Sequence, residues 1–375
     1  MIYMDNAATS WPKPKSVRVA INEALDNAGN PGRGTHSYTV WSSMKLNEVR
    51  QKLAKLFNIK DPQRIAFTLN ATHALNIAVN LCYGQIVTTA MEHNSVLRPT
   101  VTRGYYHINE VDFRGGLDYD RIKRSITELT GAVIMTHASN VTGEVYDIAQ
   151  IGEYCHKKGI LFIVDCAQSA GVIPIDVESM HIDVLCFTGH KGLFGIQGTG
   201  GIYVAENVRI RPYMSGGTGS YSFMLKQPTV MPDCFEAGTV NTHGIAALGA
   251  GIDYINEIGI GKMQEIHTEL WRYFITSARQ INGITVYGQE ETCPKMINTG
   301  VVSLNVKGYE PGEVSMRLGK EGICTRAGYH CAPLAHKALK TDGLGGTVRF
   351  SFNHLNTKSE VDTTLYTLKN LFALS

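Results

Sequence analysis

Between residues 60 and 205, short apolar runs alternate with stretches of helical periodicity. The runs are rich in Val and Ile and lack alternating polar residues, a pattern typical of strands buried on both faces of a parallel sheet. They occupy residues 86–89, 132–136, 160–165, 184–188 and 201–204. The segments between them, such as residues 148–158, have the pattern of crossover helices. The alternation therefore predicts an α/β domain with a mostly parallel, doubly wound sheet.

A different pattern begins after Gly244, where long helical stretches are mixed with a few strands. Helices are predicted over residues 246–258, 261–281 and 311–321, and strands over residues 299–306 and 347–352. The final helix begins at a capping-box sequence that runs from Thr357 to Glu360. We therefore predict a large domain over residues 12–260 and a smaller α+β C-terminal domain over residues 261–375, with residues 1–11 packing on the small domain.

The composition favours a neutral enzyme that acts on a small molecule. Charged residues make up 18% of the 375, below the roughly 25% of a typical soluble domain, so we expect a partner subunit to cover part of the surface. The formal net charge is +2 without a long basic run, which argues against nucleic-acid and membrane partners. Without a signal-peptide pattern or a long apolar span, a cytoplasmic protein is expected. The eight cysteines include no Cys-x-x-Cys pair, so a metal site is not expected.

Three successive strand patterns deliver residues that suit a pyridoxal-phosphate (PLP) site. Asn140, Asp165 and Lys191 each end or follow one of these strands. Ligands of open parallel sheets bind beyond the carboxyl ends of the strands, so the three side chains are expected to meet at one edge. A lysine amine can hold the PLP aldehyde as a Schiff base, and a carboxylate can keep the pyridine nitrogen protonated. An amide such as that of Asn140 can hydrogen-bond the phenolic oxygen of the ring.

Other residues near this edge suit the remainder of the cofactor. Ala71 and Thr72 adjoin a helical stretch and offer amide and hydroxyl donors to a phosphate. His93 follows another strand pattern and is expected to stack on the pyridine ring, while His190 is expected near the phosphate or the ring. Taken singly, such residues more often cap helices or face solvent, so the prediction depends on their order along the chain.

Several longer segments resemble one enzyme family, in the expected order over nearly the whole chain. They are YMDNAA (3–8), NPGRGTH (30–36), SNVTG (139–143), DCAQS (165–169), FTGHK (187–191), FEAGT (235–239), RAGYHCA (326–332) and RFS (349–351). These segments resemble the cysteine desulfurase and selenocysteine lyase family, which belongs to the class V aminotransferase-like PLP enzymes of fold type I. The segment around Lys191 is specific for PLP, and the segment around Cys331 is specific for sulfur or selenium chemistry.

The resemblance implies a cofactor role for each matching residue. Lys191 is the implied Schiff-base lysine, Asp165 the pyridinium partner, Gln168 the residue facing the phenolic oxygen, and His93 the residue stacked on the ring. The residues implied to hold the phosphate, beside the Ala71 amide, are Thr72, Thr188 and His190. Thr239 is implied to reach the phosphate in the neighbouring subunit's site, which predicts a homodimer.

The resemblance also implies the substrate residues and the reaction. Asn140 and Arg349 are implied to bind the substrate carboxylate, with Arg326 and His36 also near the substrate. Cys331 is implied to take sulfur from L-cysteine as a persulfide, leaving L-alanine. The persulfide sulfur then passes to an acceptor protein, as in iron–sulfur cluster assembly.

The sequence departs from the family pattern in three places. The segment around Cys331 is short, and resembles the second desulfurase group, in which this cysteine lies on a constrained loop. Within that segment Ala327 and Tyr329 replace the more usual Thr and His. Residues 81–113 form a shorter stretch than in well-known members, which predicts fewer surface elements near the entrance of the active site.

Alternative functions remain open on the sequence alone. The nearest is a selenocysteine lyase or a mixed activity. A more distant one is another class V reaction, such as transamination or epimerisation, in which Cys331 is incidental. A sulfur-relay scaffold with degenerate catalysis is a further alternative, against which the intact cofactor residues argue. The attacking species at Cys331 must be a thiolate, and the neighbouring Arg326 and His330 are the sequence candidates for lowering its pKa.

Overall fold

The computed structural model describes residues 1–32, 34–112, 114–288 and 296–373. Arg33, within the segment at residues 30–36, therefore lies outside the described residues. The strands in the described part are β1 (Ile2–Tyr3), β2 (Ile65–Thr68), β3 (Gln85–Thr89), β4 (Tyr106–Asn109), β5 (Thr130–Thr136), β6 (Leu161–Asp165), β7 (Val184–Thr188), β8 (Gly200–Val204), β9 (Ile284–Tyr287), β10 (Val301–Val306), β11 (Ile323–Cys324), β12 (Arg326–Gly328) and β13 (Thr347–Ser351). The helices are α1 (Lys15–Asn27), α2 (Ser37–Phe57), α3 (Ala71–Leu81), α4 (Asn94–Arg103), α5 (Tyr119–Ser125), α6 (Ile148–Lys158), α7 (Thr242–Ile258), α8 (Ile260–Arg279), α9 (Pro311–Lys320), α10 (Pro333–Ala338) and α11 (Lys358–Leu371).

A seven-stranded sheet forms the centre of the larger part of the chain, with the strand order β2-β8-β7-β6-β5-β3-β4. The pairs from β7 to β4 are parallel, which confirms the predicted mostly parallel sheet. Strand β8 is the exception in this sheet, because it runs antiparallel to both β7 and β2. The segment that joins β7 to β8 contains no helix, and a parallel return needs a crossover of a dozen or more residues.

Helices cover both faces of this sheet, as the apolar strand patterns predict. On β7, Leu185 and Phe187 belong to one hydrophobic cluster, with side chains from α2, α6 and α7. Val184 and Cys186 of the same strand belong to a second cluster, whose helical residues come mainly from α3. Successive side chains of a strand point to opposite faces, so a strand buried on both sides is apolar throughout.

A second, antiparallel sheet has the strand order β12-β13-β10-β9. Its core includes Phe274 of α8, which packs against the rings of Phe350 and Phe352, together with residues of α9 and α11. The N-terminus reaches this part of the molecule, since β1 pairs with β11 and Asp5 forms a bridge with Ser351. The division of the chain into domains at residue 260 remains a prediction.

The ends of several elements differ slightly from the sequence prediction, for local reasons. Helix α3 begins at Ala71, ahead of the predicted residue 73, because the Asn70 side chain accepts the His73 N–H and caps the helix there. Strand β10 begins at Val301 because the Asn298 carboxamide accepts the N–H groups of Gly300 and Val301 in a turn. The predicted capping box at the start of α11 is present. In the described part of the chain, no helix is long and apolar enough to cross a membrane.

Candidate active site

The carboxyl ends of β5, β6 and β7 lie side by side and open into one cavity of about 270 Å³. Asp165 is the last residue of β6, and it pairs in register with Thr136, the last residue of β5. The predicted site residues that line this cavity are Ala71, Thr72, His93, Asn140, Asp165, Gln168, Thr188, His190 and Lys191. The structure therefore brings together the residues that the strand order delivers to this edge.

Lys191 lies in a loop whose backbone is tightly held by the N-terminal segment. Ser10 donates its hydroxyl to the Lys191 carbonyl at 2.8 Å. Thr9 and Lys13 donate to the carbonyl of His190, at 3.0 and 2.8 Å. Burial, reinforced by the charge of Arg349 and partly opposed by Asp165, lowers the pKa of the Lys191 amine to about 8. A larger share of this amine is therefore neutral near pH 7 than of a solvated lysine.

Asp165 is a buried carboxylate whose negative charge is balanced only in part by the surrounding protein groups. Its Oδ1 accepts the N–H of Ala167 at 2.9 Å. Burial raises the pKa of Asp165, while that hydrogen bond and the charge of Lys191 act in the opposite direction. A cation bound against this carboxylate would favour its ionised form, so the position suits a protonated ring nitrogen.

The wall formed by α3 and the loop after β7 suits an anion. Helix α3 points its N-terminus, with Ala71 and Thr72, at the cavity, where free N–H groups and the helix dipole favour negative charge. The Thr72 hydroxyl lies 2.7 Å from that of Ser95. On the facing side, the buried Nδ1 of His190 has no hydrogen-bond partner among the described residues. A bound phosphate would supply one.

His93 and Gln168 are fixed by short contacts within the site. His93 precedes α4, and its Nδ1 accepts the N–H of Ser95 at 3.0 Å. Burial, with smaller contributions from Lys191 and Arg349, lowers the pKa of His93 to about 4, so the ring is neutral at pH 7. Gln168 donates its amide to the Ala7 carbonyl at 3.1 Å, which ties the residue to the N-terminal segment.

Arg349 enters the site region from β13 of the second sheet. It is only 3% exposed, and it donates from Nη1 to the Asn140 carbonyl at 3.0 Å. Its Nη2 lies 3.3 Å from Oδ1 of Asp5. Burial lowers the pKa of Arg349 to about 10, yet the guanidinium remains charged at pH 7.

Asp5 is a site residue whose role the sequence reasoning missed. It accepts from Arg349 and also from Arg326, whose Nη2 lies 2.9 Å from Oδ2. Asp5 lies in one of the segments on which the family resemblance rests, but the sequence alone does not reveal its partners. The carboxylate reaches both arginines because residue 5 bridges to Ser351 of β13. Asp5 therefore links the N-terminal segment to the two arginines.

Cys331 lies beside the cavity, on a short and ordered loop between β12 and α10. It is exposed, and it adopts a left-handed backbone conformation with φ of 57°, as does His330 with φ of 47°. Asn94 donates its N–H to the Cys331 carbonyl at 2.7 Å, and Asn140 donates its side-chain amide to the His330 carbonyl at 2.7 Å. The loop is thus anchored to both walls of the site.

Cys331 is exposed and lines a groove of about 630 Å³ that adjoins the cavity. The groove shares Thr72, His93 and Ser95 with the cavity, so the thiol lies at the boundary between the buried site and solvent. A thiol in this position can react both with a molecule bound in the cavity and with one that approaches from solvent.

His330 does not supply the positive charge that the sequence suggested for activating Cys331. Burial, together with the charge of Arg349, lowers the pKa of His330 to about 2, so its imidazole is neutral at pH 7. Its Nε2 lies 3.2 Å from the Thr347 carbonyl. Arg326 remains as a neighbouring charge: the pKa of its guanidinium is raised mainly by the hydrogen bond with Asp5, and Cys331 adds a small contribution.

Two of the sequence-predicted residues lie away from this cavity in the single subunit. His36 is exposed at the start of α2, where its ring accepts the N–H of Thr39. Thr239 is exposed and donates to the side chain of Asn30 at 3.3 Å, in a separate surface groove. Neither lines the cavity formed by residues of this subunit.

The chain is similar over nearly its whole length to known proteins of one family. The family described as Aminotransferase class-V matches residues 2–364. A probable cysteine desulfurase of Methanothermobacter thermautotrophicus is 35% identical over 99% of this chain and 94% of its own length. The apo structure of a cysteine desulfurase from Thermococcus onnurineus NA1 has a TM-score of 0.90 and 32% identity, covering 99% of this chain and 94% of that chain. A cysteine desulfurase structure from Escherichia coli has a TM-score of 0.87 and 26% identity, covering 100% and 95%.

The contacts of Asp5 predict a large cost for its substitution. Asp5→Asn leaves the buried guanidinium of Arg349 without its counter-charge, and we expect it to lower the free energy of unfolding by about 3 kcal/mol. Urea denaturation of the apo protein measures this. Asp253→Asn is the matched control, because it removes a carboxylate that pairs with Lys52 at 2.7 Å with its side chain 54% exposed. That control should cost less than about 1 kcal/mol, and equal losses for the two variants would contradict the account.

Proposed function

This chain belongs to the class V aminotransferase family, and from that premise we propose that it is a PLP-dependent cysteine desulfurase. It converts L-cysteine to L-alanine and keeps the sulfur as a persulfide on Cys331. The observation that supports this reading best is the exposed thiol on an anchored loop, directly beside a cavity that contains Lys191 and Asp165. A relative that is 35% identical over 99% of this chain is named a probable cysteine desulfurase.

The cavity has features that fit PLP. Lys191 offers an amine with a lowered pKa for the aldehyde, and Asp165 offers a buried carboxylate for the ring nitrogen. The α3 N-terminus and the unpartnered Nδ1 of His190 offer donors for the phosphate. When bound, PLP supplies an electron sink that stabilises negative charge on the substrate carbon next to its amino group.

The substrate carboxylate is proposed to bind at Arg349 and Asn140. The guanidinium of Arg349 is buried and fixed by Asn140 and Asp5, so little side-chain entropy is lost when it binds an anion. Arg326 lies on the other side of Asp5 and is more exposed, which suits a second contact to the incoming substrate. Asp5 sets the position of both guanidinium groups.

The Lys191 amine is proposed to move the proton of the substrate carbon. A general base works best when its pKa lies close to the working pH, and the pKa of Lys191 is lowered to about 8. The hydrogen bonds to the carbonyls of His190 and Lys191 fix the backbone from which this amine extends. The base is therefore held at one place while it accepts and returns a proton.

The sulfur step uses the thiolate of Cys331. Its Sγ attacks the substrate sulfur, a new S–S bond forms, and the carbon–sulfur bond breaks with its electron pair remaining on carbon. Protonation of that carbon system completes L-alanine, and Cys331 carries one extra sulfur atom. The reaction balances without an external oxidant or reductant. The groove beside Cys331 gives a sulfur acceptor protein access to the persulfide, and the sulfur is then available for iron–sulfur cluster assembly.

Lys191→Ala tests the cofactor assignment. Without the amine the protein cannot hold PLP covalently, so we expect loss of the borohydride-sensitive visible absorption and of alanine formation from L-cysteine. Absorption spectra before and after borohydride measure this. Lys15→Ala is the control, because Lys15 is an exposed residue at the start of α1. An unchanged borohydride-sensitive band in Lys191→Ala would show that another residue holds the cofactor.

Cys331→Ala separates desulfuration from selenium release. Sulfur leaves poorly unless a nucleophile takes it, whereas selenium is more polarizable and leaves with less help. The variant should therefore bind L-cysteine and form almost no alanine, yet keep substantial activity with L-selenocysteine. Cys324→Ala, which removes a half-buried thiol in β11, should behave like the parent. If Cys331→Ala turns over L-cysteine at the parent rate, Cys331 is incidental; a parent that cleaves only L-selenocysteine is a selenocysteine lyase.

The active unit is proposed to be a homodimer that shares its sites. Phe223 and Leu225 are fully exposed within a segment that also exposes Tyr221 and Met224. A cluster of large apolar side chains left in solvent is typical of a surface that a partner covers. Thr239, which does not line the cavity of its own subunit, is then available to the phosphate in the partner's site.

Mixed dimers test this sharing. Lys191→Ala subunits and Thr239→Glu subunits should each be inactive alone, because one lacks the lysine and the other places a negative charge near the phosphate. A mixed dimer regains one complete site, so random subunit exchange should restore about a quarter of parent activity. Size-exclusion chromatography establishes the dimer and the exchange. Proven exchange without recovered activity would contradict shared sites.

A further inference from the structure

Glu92 is a buried acid that the proposed mechanism does not use. It lies in the loop between β3 and α4, directly before His93, and it is fully buried. Its Oε1 accepts the hydroxyl of Thr89 at 2.7 Å and the N–H of Thr136 at 3.1 Å. Its Oε2 is also buried and has no hydrogen-bond partner among the described residues. Both donors therefore converge on one oxygen of the carboxyl group.

This arrangement is typical of a neutral carboxylic acid. One oxygen accepts two hydrogen bonds as a carbonyl oxygen, and the other is left to bear the proton. The Thr89 hydroxyl accepts the N–H of Met91 at 3.2 Å, so its own hydrogen is free to point at Glu92. If Glu92 were ionised, Oε2 would be a buried anionic oxygen without a donor, which is costly.

Asp165 lies close enough to Glu92 for the two charges to interact. Thr136, the backbone donor to Glu92, pairs in register with Asp165 on the neighbouring strand. The titratable groups that face Glu92 are Asp165 from β6 and Tyr146 from the segment before α6, with His93 next in its own loop. Burial raises the pKa of Glu92 to about 8, and the negative charge of Asp165 adds to this rise. Two interacting buried carboxyl groups do not readily ionise together.

We propose that Glu92 is a positioning residue that stays a neutral carboxylic acid in the working enzyme and thereby keeps the negative charge of the pair on Asp165. The proposal rests on the role proposed above for Asp165. A proton on Glu92 removes the repulsion that would otherwise favour protonation of Asp165. The hydrogen bonds that Glu92 accepts from Thr89 and Thr136 also hold the residues just before α4 in place. His93 is thereby kept in the position required at the cavity wall.

The protonation state can be observed in the apo protein by infrared difference spectroscopy. At about pH 6, where a solvated glutamate is ionised, Glu92→Gln should remove the C=O stretch of a protonated carboxylic acid. The loss of a carboxylate band instead would overturn the proposal. Glu144→Gln is the matched control, because Glu144 is a half-buried acid whose pKa is also raised to about 8, in its case by desolvation and the charge of Asp112. It should remove a separate acid band and leave that of Glu92 in place.

The pH dependence of stability gives a second readout without cofactor. The folded protein keeps the Glu92 proton up to about pH 8, whereas the unfolded chain releases it near pH 4.3. The contribution of Glu92 to stability should therefore fall as pH rises between these values, so the urea midpoint of the parent should fall relative to that of Glu92→Gln over this range. Equal pH dependence in the two proteins would contradict a retained proton.

Turnover by the PLP-loaded enzyme completes the test. Glu92→Gln keeps the neutral hydrogen-bonding group, so it should retain most of the alanine formation and lose less of it than the parent above about pH 8. Glu92→Ala should lose about tenfold to hundredfold, because the loop before His93 is no longer held. If Gln is as damaging as Ala, an ionised Glu92 is required and the proposal is wrong. If the parent itself forms no alanine, the proposed function fails while the infrared result still decides the state of Glu92.

Discussion

The carboxyl ends of three adjacent parallel strands, β5, β6 and β7, determine where the chemistry of this protein is located. Neighbouring parallel strands end at the same edge of the sheet. Residues that are distant in sequence, such as Asp165 and Lys191, therefore lie close together there. The α3 N-terminus closes one side of the cavity. The second sheet contributes Arg349 from the other side, and the N-terminal segment joins the two halves. The cavity thus depends on the register of the parallel sheet.

The site contains several buried ionisable groups, and the charge of each is balanced in a different way. Arg349 has Asp5 as its counter-ion, whereas Lys191 responds to burial by a lowered pKa that suits proton transfer. We propose that a cationic ligand balances the charge of Asp165 and that Glu92 retains its proton, since burial raises the pKa of both groups. The proposed cofactor would complete the electrostatic balance of the site, and its affinity would then depend on the protonation of these groups.

The sequence predicts those features of the fold and of the site that depend on local residue patterns. The apolar runs predicted the sheet, and the residues at their ends predicted most of the cavity lining, because strand direction alone determines which ends meet. Asp5 and Glu92 were not assigned roles, since their partners come from distant segments and appear only after folding. The antiparallel direction of β8 was also not distinguishable, because a fully buried strand has the same apolar pattern in either direction. His36 and Thr239 were predicted from the family resemblance, and a single subunit does not bring them to the cavity.

The central claim is that L-cysteine gives L-alanine while its sulfur is transferred to Cys331. The most direct measurement incubates the PLP-loaded protein with L-cysteine in the absence of a reductant and quantifies both products at early times. The account predicts that alanine appears in the same amount as a Cys331 peptide that has gained the mass of one sulfur atom. Absence of alanine, or alanine that accumulates while the Cys331 peptide keeps its original mass, would contradict it.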